Sequence, residues 1–317
     1  MRTSPKPLIS VITLNYNQTK VTGEFLRSLQ KVTYPNLEVI VVDNNSAVDP
    51  TSELKQEYPA AVIIRSPQNL GFTGGNNLGM KESNGEYVFI VNNDTEVTES
   101  VFERMLEGFA ADKRVGVVSP KIRYFDQPDR LQFAGFTEIN PFTGRNRGIG
   151  HLEVDRGQHD QGSFSPYAHG AAMLVKREVM DTVGVFPELF FIYYEELDWS
   201  SQITRAGYKI YYQPAALIFH KESITMGRES AIKAYYHNRN RILFMRRNFR
   251  TYQLCCFYLF FLGFTTPKTV AKYVLKKQWE HLRSFRRALA WNLRYKNPTK
   301  DRRTRLQDVA PHPEAVA

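Results

Sequence analysis

The chain has 317 residues, 42% of them apolar and 23% charged, a profile that fits a soluble enzyme of one large domain or two modest ones. Its two cysteines, Cys255 and Cys256, are adjacent, which excludes a disulfide framework or a cysteine metal site and fits a reducing compartment. The net charge of +10 is concentrated: residues 221–317 hold 21 Lys/Arg against 6 Asp/Glu, so the first 220 residues are slightly acidic.

The N-terminal MRTSPKPLIS lacks a signal-peptide apolar region and enters a strand almost at once. Leu8–Tyr16 reads as that strand and runs into Asn15, Tyr16 and Asn17. Val21, Phe25 and Leu29 then recur at helical spacing. A second strand, Glu38–Val42, is closed by Asp43, Asn44, Asn45 and Ser46, and a third covers Ala61–Ile64. Asn69–Asn77 (NLGFTGGNN) reads as a glycine-rich turn leading toward a helix. Tyr87–Val91 is a fourth strand ending in Asn92, Asn93 and Asp94, followed by Val101, Met105 and Phe109 on one helical face. This alternation predicts βαβ units and a mostly parallel sheet. Three strands ending in Asn/Asp clusters predict a crevice at their carboxyl ends that can hold a nucleotide.

Residues 124–168 are rich in Gly, Arg, Asn and Gln and show little periodicity, as expected of a long functional or disordered segment. Ala171–Val175 reads as a strand. Trp199 and Ile203 mark a helix that stops near Gly207, and Tyr208–Tyr212 and Ala215–Phe219 read as two further apolar runs, the second ending at His220. Leu254–Phe264 is nearly all apolar but about half the roughly 20 residues a spanning helix needs. Leu275, Trp279, Leu282, Phe285, Leu289 and Leu293 then alternate with Lys and Arg, which predicts a basic amphipathic helix. The polar tail from Pro298 reads as disordered.

ISVITLNYN, VIVVDNNS, NLGFTGGNN, IVNNDTEV, YYEELDW and RAGY, in this order, resemble a family 2 glycosyltransferase of GT-A fold, most closely its rhamnosyltransferase-like branch, over about residues 8–250. The resemblance implies a GT-A domain over residues 1–250, with a nucleotide-sugar half (1–120) and an acceptor half (121–250). Membrane-associating helices would follow over 251–297, then a tail over 298–317. It implies that Asn15, Asp43, Asn69, Gly71, Gly74, Asn92 and Asp94 bind the nucleotide sugar, with Asp43 accepting a hydrogen bond from a pyrimidine N3–H. Asn92-Asn93-Asp94 stands where the family has Asp-x-Asp, so one carboxylate, Asp94, is left for a divalent metal. His220 completes that site in several members, and Mg²⁺ or Mn²⁺ is the implied ion. The general base falls at Glu196, where the family usually has Asp; Glu195 and Asp198 are the alternatives. Gln202 stands where an Arg is frequent.

The expected activity is inverting transfer of a sugar, rhamnose being one candidate, from a nucleoside-diphosphate donor. The acceptor would be a glycan or lipid-linked saccharide for cell-surface polysaccharide, at the cytoplasmic face of the membrane. The basic helix fits anionic lipid better than nucleic acid, because its Trp and Phe lie on the apolar face. Packing of that helix on the catalytic domain is the alternative. A metal-dependent nucleotidyltransferase and a non-enzymatic binding module are the competing functions; the second has no need of Asp43, Asp94 and Glu196 along one edge.

Overall fold

The computed structural model describes residues 6–221, 230–296 and 303–309. Strands β1 (Ile9–Asn15), β2 (Leu37–Asp43), β3 (Val62–Arg65) and β4 (Tyr87–Val91) alternate with helices α1 (Thr19–Leu29), α2 (Thr51–Glu57) and α3 (Gly71–Glu82). Next come β5 (Thr95–Val97), α4 (Val101–Gly108), β6 (Val115–Tyr124), β7 (Leu131–Phe133), β8 (Ser163–Ser165) and β9 (Ala172–Lys176). The chain continues through α5 (Arg177–Val183), α6 (Glu195–Arg205), β10 (Lys209–His220), α7 (Ala231–Asn248), α8 (Thr251–Phe260), α9 (Thr266–Leu275) and α10 (Trp279–Arg294).

One sheet runs in the order β3-β2-β1-β4-β9-β6-β10-β5, with β7 on β6 and β8 on β10. The first four strands are parallel, as their alternation with helices predicts. Beyond β4 the sheet is mixed, because β9 pairs antiparallel with both β4 and β6. Successive residues of the parallel strands enter opposite cores. Val11, Val41 and Phe89 pack on one face, and Ile12, Ile40 and Ile90 on the other. Burial on both faces is why these strands read as unbroken apolar runs.

Three elements differ from the sequence reading. Asn69–Asn77 is largely helix rather than turn, since α3 begins at Gly71. Helical glycine costs about 1 kcal/mol relative to Ala, but here the missing side chains permit close packing. A Cβ on Gly75 would lie 2.9 Å from Leu14 Cδ2, and one on Gly79 2.6 Å from Ile12 Cγ2, so α3 rests almost directly on β1. The runs before and after Pro214 form one strand, β10, whose register against β6 shifts between Gln213 and Leu217 to accommodate the proline.

Finally, α8 and α9 join through a π-helical turn, Phe261–Thr265, into one helix, Thr251–Leu275. By length and composition that helix could cross a membrane, and most of its apolar stretch is unburied. Leu259, Phe264 and Leu275 are 75%, 70% and 82% exposed. By contrast, Phe285 of α10 is fully buried, and Leu282 and Leu289 pack in the same cluster as Leu243 and Phe244 of α7. Much of the apolar face expected to meet lipid is therefore turned inward. Residues 303–309 of the tail also pack back: Val185 bridges Thr304, and Lys81 Nζ donates to the Val309 carbonyl (2.6 Å). The rest of the tail lies outside the described residues.

Candidate active site

The crevice expected at the strand ends is a cavity of about 420 Å³. Its wall includes Asn44, Asn69, Gly71, Asn92, Asn93 and Asp94 from the parallel half, and Gln132, His169, His220, Lys233 and His237 from the rest of the chain. Sheet register creates the central pair. Strand β10 ends with His220 opposite Thr95, the first residue of β5, so His220 arrives beside Asp94. His220 Nε2 lies 3.0 Å from Asp94 Oδ1, and its Nδ1 lies 2.8 Å from Gln132 Oε1; Asp94 and His220 are both buried.

Asn15 and Asp43 stand beneath this wall rather than on it. The register levels Asn15 with Asp43, and Asn15 Nδ2 donates to Asp43 Oδ1 (2.8 Å). Asp43 also accepts from the Ser46 hydroxyl (2.5 Å), the Ser46 N–H (3.3 Å) and Arg65 Nε (3.2 Å). A carboxylate has about four acceptor positions, and all four are engaged, so a pyrimidine N3–H would have to displace one donor. The network reaches the cavity as a relay: Asn93 Nδ2 donates to Thr22 Oγ1, which donates to Asn15 Oδ1, each at 2.8 Å. Asn44, one residue beyond Asp43, is the residue of this turn that lines the cavity. Its amide donates to Asn69 Oδ1 (3.2 Å) and the Gly71 carbonyl (3.0 Å), pinning the start of α3.

Gly71 has φ +72°, and a Cβ there would meet Phe191 at 2.5 Å. Gly74 is off the cavity wall, and its missing Cβ makes room for Leu70 at 2.8 Å.

The opposite wall is a strained aromatic segment. Phe191, Tyr193 and Tyr194 have φ of 65°, 69° and 71°, a conformation unfavourable for bulky residues. Two side chains of α7 hold it. Asn240 Nδ2 donates to the carbonyls of Phe190 (3.0 Å), Ile192 (2.7 Å) and Tyr193 (2.7 Å), while Arg239 Nη2 donates to those of Leu189 (2.7 Å) and Phe190 (2.6 Å). Tyr193 stacks on His237 with ring centroids 4.2 Å apart. Burial, and then the Lys233 charge, push His237 down to about 4, so it is neutral at pH 7. Burial pushes His169 down to about 3, with His220 and His151 adding to the effect.

This segment delivers the three acidic candidates to the first turn of α6, where they meet different fates. Asp198 is fully buried and spoken for: Arg247 Nε and Nη2 grip its two oxygens at 3.0 Å, and Gln202 (2.9 Å) and Asn248 (2.7 Å) donate as well. Gln202 therefore serves as a donor to Asp198, with Arg247 supplying the guanidinium. Glu195 and Glu196 each keep one carboxylate oxygen buried without a hydrogen-bond partner. Burial, and then the Glu196 charge, raise Glu195 well above the usual carboxylate range; burial pushes Glu196 up to about 7. Glu195 is only 4% exposed, whereas Glu196 is partly open to solvent. Glu196 lies against Gly170, next in the chain to the cavity residue His169, and is not itself on the wall.

The sequence reading missed Asn44, Gln132, His169, Tyr193, Lys233 and His237. Gln132 lies within the aperiodic stretch that gave no register, and His169 follows directly after it. Lys233 and His237 lie on a helix whose partner face is set only by tertiary packing.

Among the described residues no three His, Cys, Asp or Glu side chains gather to hold a metal. The site does fit an ion completed by substrate oxygens. Both ring nitrogens of His220 face an oxygen as the Gln132 amide is oriented, so at least one contact lacks a proton unless the ring is charged. A divalent ion accepting from both Asp94 and His220 resolves that conflict.

Residues 10–184 match the family described as glycosyl transferase family 2. Among relatives, an uncharacterised protein of Sinorhizobium fredii is 28% identical over 260 residues; the match covers 78% of this chain and only 28% of that protein. The N-acetylglucosaminyl-diphospho-decaprenol L-rhamnosyltransferase of Mycobacterium tuberculosis is 24% identical over 258 residues, 75% of this chain and 84% of that one. Among solved structures, a mannosyltransferase of Pyrobaculum calidifontis in complex with GDP-Man and Mn²⁺ superposes with a TM-score of 0.57 at 19% identity, over 93% of this chain and 78% of that one. With the GT-A sheet, its strand-end cavity and a family match covering more than half of its length, this chain belongs to glycosyl transferase family 2 and is a glycosyltransferase.

Proposed function

We propose that the enzyme inverts configuration as it transfers a sugar, rhamnose being the candidate its mycobacterial relative suggests, from a nucleoside-diphosphate donor to a lipid-linked saccharide acceptor. The observation that carries this reading is the Asp94–His220 pair at the strand-end cavity, steadied by Gln132. Asp94 and His220 would hold Mg²⁺ or Mn²⁺, and the bound ion would offset charge on the departing diphosphate. Asn44, Asn69 and Gly71 form the donor wall, with Asn15 and Asp43 fixing its floor.

Glu196 acts as base. The acceptor hydroxyl oxygen bonds to the anomeric carbon as the bond to the diphosphate breaks, the electron pair leaves on the diphosphate oxygen, and the hydroxyl proton passes to the Glu196 carboxylate. A base must be ionised, so a raised Glu196 makes turnover climb with pH through about 7.

The enzyme works at the cytoplasmic face of the membrane, held through the exposed apolar surface of α8 and α9 rather than through α10. The competing nucleotidyltransferase reading differs in product. Release of nucleoside diphosphate from a nucleotide sugar, lost on chelation and in Asp94→Asn, supports glycosyl transfer. Release of pyrophosphate, or full Asp94→Asn activity in excess chelator, would refute it.

A further inference from the structure

A second cavity of about 230 Å³ opens between α7, α9 and the start of α10, lined by Lys233, His237, Lys272, Tyr273, Gln278 and His281 among others. Lys233 and His237 also line the donor cavity, so the two spaces share a wall. We infer that this second cavity seats the phosphate of a lipid-linked phosphate or diphosphate acceptor, a reading that rests on the glycosyl transfer proposed above.

The charge is of the right sign and is uncommitted. Neither Lys233 nor Lys272 makes an ion pair with a carboxylate among the described residues, and each ammonium lies 5.9 Å from a tyrosine ring centroid instead, Tyr193 and Tyr273. Ammonium groups beside aromatic faces, paired with no carboxylate among the described residues, suit a phosphate arriving from outside. Nε2 of His281 is buried and lacks a hydrogen-bond partner, which leaves a polar atom for a ligand to satisfy.

The lipid part has a place as well. Lys272 and Tyr273 belong to α9, the continuation of the helix that exposes Leu259, Leu262 and Phe264. An acceptor with an isoprenoid tail can lay the tail along apolar surface, set its phosphate among the lysines and present its saccharide past Lys233 and His237 toward the donor. A phosphate-free glycan would use none of these features.

The test uses the full chain with Mn²⁺ and a nucleoside diphosphate filling the donor cavity, and follows binding of farnesyl diphosphate calorimetrically. Lys272→Glu should weaken binding by at least about tenfold, since each surface charge near an anionic headgroup is worth about 1 kcal/mol. Lys276→Glu, which reverses a charge on an exposed residue just beyond α9, should weaken it far less. Equal losses in the two variants, farnesol binding as tightly as the diphosphate, or inorganic pyrophosphate competing as well as the lipid would each overturn the inference. Release of nucleoside diphosphate from nucleotide sugars by the wild-type enzyme in the presence of a lipid-linked acceptor extract is measured alongside. Its absence counts against glycosyl transfer, whereas its presence with a failed binding result counts against this subsite alone.

Discussion

Carboxylates at the strand ends and carboxylates at the start of α6 are treated in opposite ways by the same fold. Asp43 and Asp94 sit where sheet register brings their partners: Asn15 and Arg65 for one, His220 for the other. Each is buried, and each has a side-chain partner fixed by the sheet. At α6 only Asp198 receives such treatment; Glu195 and Glu196 are adjacent, raised chiefly by burial, and each keeps one oxygen without a hydrogen-bond partner. A matched carboxylate holds structure or an ion. An unmatched one is basic, which is what proton abstraction requires.

The largest expected effect comes from unmatching the matched acid of α6. Arg247→Ala strands Asp198 in the interior, and breaking a buried pair in this way costs about 3–5 kcal/mol. Denaturant unfolding should show that loss. A change below about 1 kcal/mol would mean that Asp198 is not locked and must rejoin the candidates for base. Next, Glu196→Gln should lower kcat by roughly 10²-fold or more, with donor KM little altered. If Glu195→Gln is the inactive variant instead, the two glutamates exchange roles. Asp94→Asn tests the other half of the comparison: it should abolish metal-dependent stimulation while leaving the melting temperature close to wild type.

The subtlest prediction concerns Glu195→Gln. A carboxylate whose pKa is raised by folding contributes stability below its unfolded pKa, and loses it as pH rises through the folded value. The wild type should therefore weaken as pH rises above about 4.5, and Glu195→Gln should weaken less. Because Glu195 is raised by burial and by the Glu196 charge, and still holds its proton where Glu196 titrates, Glu195→Gln should leave the acidic limb of the kcat profile in place. A limb that moves to lower pH would show that Glu195 is the first of the two to ionise.

The strands of the parallel half were legible because burial on both faces writes itself as apolar runs, and Asn92–Asp94 was legible because polarity begins abruptly where β4 ends. Asp94 and His220 were paired through family resemblance; the physical cause, an antiparallel β5 set against the end of β10, is a long-range pairing with no local signature. Local rules misread α3, since its glycines reflect a tight fit on Leu14 and Ile12 and not a turn. They also misread α10, because an amphipathic pattern reports that one face is covered without saying whether by lipid or by α7. The separation of Asp198 from Glu195 and Glu196 depends on Arg247 and Asn248, far along the chain, and no spacing within YYEELDW reveals it.

Strand β10 has one more consequence. The family match closes at residue 184, yet β10 lies inside the sheet between β6 and β5 and delivers His220 to Asp94. A fragment trimmed to the matched region would expose an open sheet edge and carry half of an ion site. The smallest piece worth expressing must reach past Asn248, so that Asn240 still anchors the aromatic segment and Arg247 and Asn248 still close on Asp198.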